Sequence, residues 1–286
     1  SSSLNNERIM TSEIAEKRST STFSSFKDRI KGSSFKHLIK ALPGVNGVFP
    51  SKTYSGFVNV DSEEDTNLFY VLSESRNDPS EDPVVMYMNG GPGASSLAAF
   101  FGANGPLLYV DENEFMVNPY AWNLNASLLA IEFAPGIGFS TCKNSTNENG
   151  TSFCPRTERF EGACSPCLAS DSTVAKQNAV ALETLFSKIF PELKSRALYI
   201  SGESYAGTYV PTLAREILSH PELYPSVQNL KGLWVTDPCM SNKEQFGYLD
   251  LGVTFAYEKG LISSETYEQL TKTCTKSRTP VGDHVR

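Results

Sequence analysis

Histidine is scarce in this chain of 286 residues, with three, at positions 37, 220 and 284. Chemistry that needs an imidazole has only these to draw on. No uninterrupted apolar stretch reaches the roughly 18 residues of a spanning helix, so no transmembrane segment is expected. Positive charge is in deficit: Lys+Arg 25 against Asp+Glu 32 leave −7. Binding to nucleic acid rests on neutralising phosphates, so no nucleic-acid partner is expected. Cys164-Ser-Pro-Cys167 has no second C-x-x-C to complete a zinc ribbon. Neither a metal site nor an organic cofactor is expected. Hydrophobic content of 40% with 20% charged residues excludes a wholly disordered chain.

Cysteine is plentiful by contrast, at 142, 154, 164, 167, 239 and 274. The first four crowd into a stretch rich in Asn, Ser, Thr and Gly, which reads as a disulfide-stapled loop made in an oxidising compartment. Six cysteines allow 15 pairings, all open. A redox role for the C-x-x-C is the alternative, but such pairs usually open a helix in a thioredoxin-like unit. Glycosylation sequons start at Asn125, Asn144 and Asn149, two of them inside the cysteine-rich loop, and support a secretory route. The start lacks an apolar signal-peptide core, so the chain reads as a mature or trimmed product.

Residues 1–41 form a basic, Ser/Thr-rich leader, read as flexible, with a short helix expected at 35–42. Strands are expected at 54–60 and 67–73, joined by the acidic 61–65 loop. Continuous apolar runs at 84–88 and 128–132 read as strands buried on both faces of a parallel sheet. A short helix follows the first of them. Helical periodicity covers 169–190, with Pro191 at its end. A strand at 197–201, a helix at 206–218, a strand at 230–235 and helices near 243–258 and 263–274 complete the pattern. Strands alternating with helices imply an α/β fold with a mostly parallel sheet. Residues 42–240 read as one domain, and 241–286 as the start of a helical unit.

Two motifs carry chemistry. Gly202-Glu203-Ser204-Tyr205-Ala206-Gly207 contains G-x-S-x-G, with a strand running into it and a helix leaving it. That context marks a nucleophile elbow, a strained turn that exposes the Ser204 hydroxyl at the end of the strand. Asn89-Gly90-Gly91-Pro92-Gly93 follows the buried strand at 84–88, where backbone N–H groups can face an oxyanion. It lacks the Lys-Ser/Thr of a P-loop and the spacing of a dinucleotide site.

These residues resemble the serine carboxypeptidases. The resemblance extends through Ser95-Ser96-Leu97, Asn118-Pro-Tyr-Ala-Trp122-Asn123, Pro135-Gly-Ile-Gly-Phe-Ser140 and the elbow to Pro211, covering roughly 49–274. It implies an α/β-hydrolase fold with the start of a helical cap, the C-terminal part of the fold being absent. Ser204 would be the acylated nucleophile, and the amides of Gly91 and Tyr205 the oxyanion hole. Asn89, Gly90 and Glu203 would hold the C-terminal carboxylate of a peptide substrate. Two facing carboxylates repel unless they share a proton, which implies activity at acidic pH and a vacuolar, lysosomal or extracellular setting. Related acyltransferases typically carry Asp where Glu203 stands. The sequence departs from the family at Ala94 (usually Cys), at Tyr87 (usually Trp) and at Val235-Thr-Asp-Pro238 (usually a Gly-Asn segment). The 141–168 loop is longer than usual.

A serine nucleophile needs a base and an orienting acid. His37 precedes the sheet. His220 lies at the far end of the helix that leaves the elbow, about 20 Å away at 1.5 Å per residue. His284 is near the terminus, beside Asp283, where neighbours in an extended tail cannot form the relay. The resemblance implies that Asp and His come from a C-terminal portion, supplied by a complementary chain of the same precursor. The expected function is removal of C-terminal amino acids from peptides. The alternatives are an acyltransferase and a non-catalytic peptide- or protein-binding chain.

Overall fold

The computed structural model describes residues 36–42, 45, 49–111, 114–142, 170–241, 245 and 249–274. A six-stranded sheet organises them, in the order β1-β2-β6-β3-β7-β8. β1 (Thr53–Asp61) and β2 (Thr66–Ser73) form an antiparallel hairpin across the acidic loop, and β2 continues antiparallel onto β6. β3 (Val84–Met88) leads through a Gly-rich turn into α1 (Ser96–Ala99), which continues as a π-helical turn over Phe100–Asn104. β4 (Leu107–Asp111) and β5 (Glu114–Val117) form a separate antiparallel pair. β6 (Ser127–Ile131), β3, β7 (Leu198–Glu203) and β8 (Leu230–Thr236) run parallel. Helices α2 (Asp171–Thr184) and α3 (Ala206–Ser219) lie on one face, and α4 (Leu249–Glu258) and α5 (Ser264–Cys274) close the described chain.

The apolar runs explain the layering. All five residues of β3 and of β6 are buried, as expected for strands covered on both faces. Because side chains alternate, Met86 and Met88 of β3 join Ile131, Ile200, Leu182, Val210 and Leu213 under α2 and α3. Val85 and Tyr87 face the other way, with Val71, Leu128 and Phe100. Ser170 caps α2, its hydroxyl accepting from the Thr173 amide at 3.2 Å.

Two expectations are corrected, and one strand pair is new. The 35–42 helix does not form over its described part: a 3-10 turn covers Lys36 and His37, and Leu38 then pairs antiparallel with Tyr54. β1 is an edge strand, and its free backbone groups capture this segment, Ile39 N–H donating to Thr53 O at 2.8 Å. The 169–190 helix is α-helical only to Thr184; a π-helical turn (Leu185–Ile189) and a 3-10 turn from Pro191 follow. The β4–β5 pair was not foreseen, because its short strands are half exposed and carry no buried-strand signature. Among the described residues no helix is long and apolar enough to cross a membrane. Cys142 is disulfide-bonded. Most of the 141–168 loop, including Asn144 and Asn149, lies outside the described residues, as do most of the leader and His284.

Candidate active site

Parallel pairing sets Met88 beside Gly202, so β3 and β7 end side by side and their turns meet. Ser204 stands between β7 and α3 with φ at +58°, in the left-handed region that costs an L-residue energy and persists only where its surroundings impose it. They do so from three sides. Ser204 N–H donates to Thr236 O at 3.0 Å, and Ser204 O accepts from Gly207 N–H at 2.9 Å and Cys239 N–H at 2.8 Å. Gly207 has no room for a side chain, since a Cβ there would lie 2.8 Å from Cys239 N and 2.9 Å from Cys239 O. The elbow is therefore held from outside by the chain that leaves β8.

The turn after β3 presses against the elbow. A Cβ on Gly90 would lie 2.7 Å from Tyr205 N and 2.8 Å from Ser204 Cβ, so only glycine permits the approach. Gly91 adopts φ +113°. Ala94 N–H closes the turn onto Gly90 O at 3.1 Å, and Asn89 N–H reaches Ser96 Oγ at 3.4 Å. Asn89 is half-buried, with its Oδ1 buried and unpartnered.

Glu203 is exposed at the mouth of the site and accepts a hydrogen bond from the Tyr87 hydroxyl at 3.2 Å. Burial, and then the Glu203 carboxylate, push that phenol up to about 12. Trp122 packs edge-on against Tyr87, and Trp234 lies tilted by 41° against Trp122, with ring centroids 5.5 and 5.7 Å apart. The free thiol of Cys239 lies 3.9 Å from Ser204 Oγ. Asp237, where the family pattern has its Gly-Asn segment, takes φ +45° to turn the chain toward Cys239.

Ser204, Tyr205, Glu203, Asn89, Gly90 and Gly91 are thus gathered at one end of the sheet. Asn125 is elsewhere, exposed at the surface beyond Leu124. Neither described histidine serves Ser204. His37 lies over Tyr70 with ring centroids 5.9 Å apart, beside β1, and His220 caps the far end of α3 with Nδ1 3.1 Å from Glu216 O. One residue went unnoticed in the sequence. Glu132, just past β6, is fully buried, and its Oε1 accepts from Ser95 Oγ at 2.7 Å and from Leu97 N–H at 3.1 Å. Its only sequence signal was an acid at the end of a buried apolar run. Asn118 and Asn123 prove structural: Asn118 Nδ2 donates to Ala103 O and Gly105 O, and Asn123 Nδ2 to Glu74 O.

A mostly parallel sheet, with a strained serine between a strand and a helix beneath a glycine turn, defines an α/β-hydrolase. The family then follows. The serine carboxypeptidase profile matches residues 43–285, and the chain belongs to that family. It is 36% identical over 244 residues to serine carboxypeptidase-like 20 of Arabidopsis thaliana, covering 83% of this chain and 44% of that protein. It is 42% identical over 204 residues to carboxypeptidase Y homolog A of Trichophyton verrucosum, covering 70% and 33%. The crystal structure of a prohormone-processing carboxypeptidase from Saccharomyces cerevisiae is similar at a TM-score of 0.66 and 25% identity, over 86% of this chain and 53% of that one. The chain spans about half the length of these relatives, or less.

Proposed function

We propose that this chain carries the nucleophile, oxyanion hole and carboxylate-binding side of a serine carboxypeptidase that removes C-terminal amino acids from peptides. The observation that carries this reading is the contact of Gly90 with Ser204 and Tyr205, because it sets two backbone turns around one reactive hydroxyl. Asn89 and Glu203 take the substrate's terminal carboxylate, which excludes longer downstream chains. Ser204 Oγ attacks the last peptide carbonyl as its proton passes to a base. The carbonyl oxygen becomes an oxyanion facing the amides of Gly91 and Tyr205. The C–N bond then breaks, the base returns the proton to the departing amine, and water hydrolyses the Ser204 ester by the same route.

The base and its orienting acid come, in this proposal, from a complementary chain. Two observations support it. No described histidine is near Ser204, and among the described residues no strand pairs with the outer edge of β8, where Leu233 is 46% and Trp234 41% exposed on opposite faces. Parallel sheets are normally covered on both faces. Secretion, glycosylation at Asn125, Asn144 and Asn149, and stapling of the 141–168 loop belong to the same proposal.

The test is intact and reduced mass spectrometry of the native protein after reaction with a fluorophosphonate probe. The expected result is a label on Ser204 and a second chain in the same particle. A lone, unlabelled chain overturns the enzymatic reading in favour of a binding role.

A further inference from the structure

Glu132 takes no part in the chemistry just proposed, yet a fully buried carboxyl is costly to keep. Its backbone is pinned from behind, with N–H donating to Phe69 O at 2.9 Å and O accepting from Ser140 Oγ at 2.6 Å. Gly138 packs directly against Oε2, which is buried and unpartnered, and a Cβ at 138 would collide with it. Burial raises the pKa of the carboxyl, and the groups that bear on it are the Ser95 hydroxyl and the amides of Ser96 and Leu97, none of them charged. All its hydrogen bonds therefore point one way, at the start of α1.

That start is the downstream anchor of the glycine turn. Ser95 is the N-cap of α1, a helix of four residues that continues as a π-helical turn and has little regular hydrogen bonding to hold its first turn. Ser96 Oγ receives the Asn89 amide, and Gly90 O receives the Ala94 amide. A connected path thus runs from Glu132 through Ser95–Leu97 to Asn89 and Gly90, and from Gly90 to Ser204 and Tyr205. An apolar residue at 132 would avoid the desolvation cost but would leave the Ser95 hydroxyl proton without its acceptor, and the Leu97 amide with Ser95 Oγ alone, at 3.2 Å.

We infer that Glu132 is a positioning residue: its buried carboxyl fixes the start of α1, and through it the oxyanion turn, against the Ser204 elbow. The catalytic half of this inference rests on the acyl-transfer reading of the site; the positional half does not. The experiment pairs hydrogen exchange of the 89–97 segment with steady-state kinetics, in the native assembly, for Glu132→Ala, Glu132→Asp and Glu132→Gln. Gln keeps the acceptor at Oε1 and is expected to match the wild type in both readouts. Ala removes the acceptor, and Asp withdraws it by one methylene. Both are expected to speed exchange at 89–97 by about tenfold or more without changing exchange in β7. Both are expected to lower kcat by about 10²-fold, the scale of a lost oxyanion donor, with a smaller change in KM. If Ala fails to fold, Asp carries the test. Unchanged exchange in the variants that remove or withdraw the acceptor overturns the inference whatever the enzyme does. Faster exchange with kcat untouched overturns the oxyanion reading of the turn and leaves only the structural anchor.

Discussion

β7 and β8 are neighbours in one sheet, parallel and in register from Tyr199 and Gly232 onward, yet they live in different surroundings. Leu198, Ile200 and Ser201 of β7 are fully buried, whereas every residue of β8 keeps some exposure. Apolar content does not separate them, since Leu233, Trp234 and Val235 are as hydrophobic as the β7 run. The difference is one of neighbours: β7 has strands on both sides and layers on both faces, and β8 is an edge. The site inherits this asymmetry. Ser204 follows the closed strand, while hydrogen bonds that hold its backbone come from Thr236 and Cys239, at and beyond the end of the open one.

The largest test of this contrast is chemical. Ser204→Ala should abolish fluorophosphonate labelling and lower kcat of the complete enzyme by about 10⁶-fold, as loss of a triad serine does. A residual rate well above that would place the chemistry elsewhere. Ile200→Ala on β7 should cost about 2–5 kcal/mol in a denaturant titration, through lost transfer energy and a cavity. Leu233→Ala on β8 should stay within about 0.5 kcal/mol in the chain alone. Equal costs would mean that β8 is covered, and the contrast would fail.

Gly207→Ala strains the junction between the two regions. The new methyl meets the backbone of Cys239, and about 1–3 kcal/mol of destabilisation is expected, with slower labelling of Ser204. Full activity in this variant would show that the segment after β8 does not hold the elbow. Glu132→Gln tests burial on the closed side through pH. The native carboxyl is raised by burial, so the folded chain holds this proton more tightly than the unfolded one. Wild-type stability should therefore fall, relative to Glu132→Gln, as pH rises from about 4.3 through the raised native value. One proton limits the slope to about 1.4 kcal/mol per pH unit. Parallel melting curves from pH 4 to 8 would remove the burial argument. Tyr87→Phe should have a small effect, read in KM. It removes one hydrogen bond to Glu203, worth about 0.5–1.5 kcal/mol, and should raise KM by less than about tenfold at constant kcat.

Much of this arrangement was legible from residue order. The fully apolar run at 84–88 announced a buried strand, and G-x-S-x-G between a strand and a helix announced the elbow, because both signals are local. The pairing of Leu38 with β1 was not legible, since a free strand edge is a property of the sheet and not of the segment it captures. The break of the 169–190 helix at Thr184 was equally hidden, because the periodicity runs on into a turn of different pitch. Glu132 looked like the end of a strand. Its role depends on Ser95 and Leu97, which lie more than thirty positions away and are brought close only by the β3–β6 pairing.

By itself, then, the sequence determined the alternation of strands and helices, the strand–turn–helix at Ser204 and the glycines that flank it, because periodicity and backbone sterics act over a few residues. Tertiary structure alone decided that Gly90 would touch Tyr205, that Tyr87 would reach Glu203, that a buried acid would anchor the glycine turn and that β8 would stay open. Those relations depend on which strands lie side by side and which faces find cover, and both are set by packing between segments far apart in the chain.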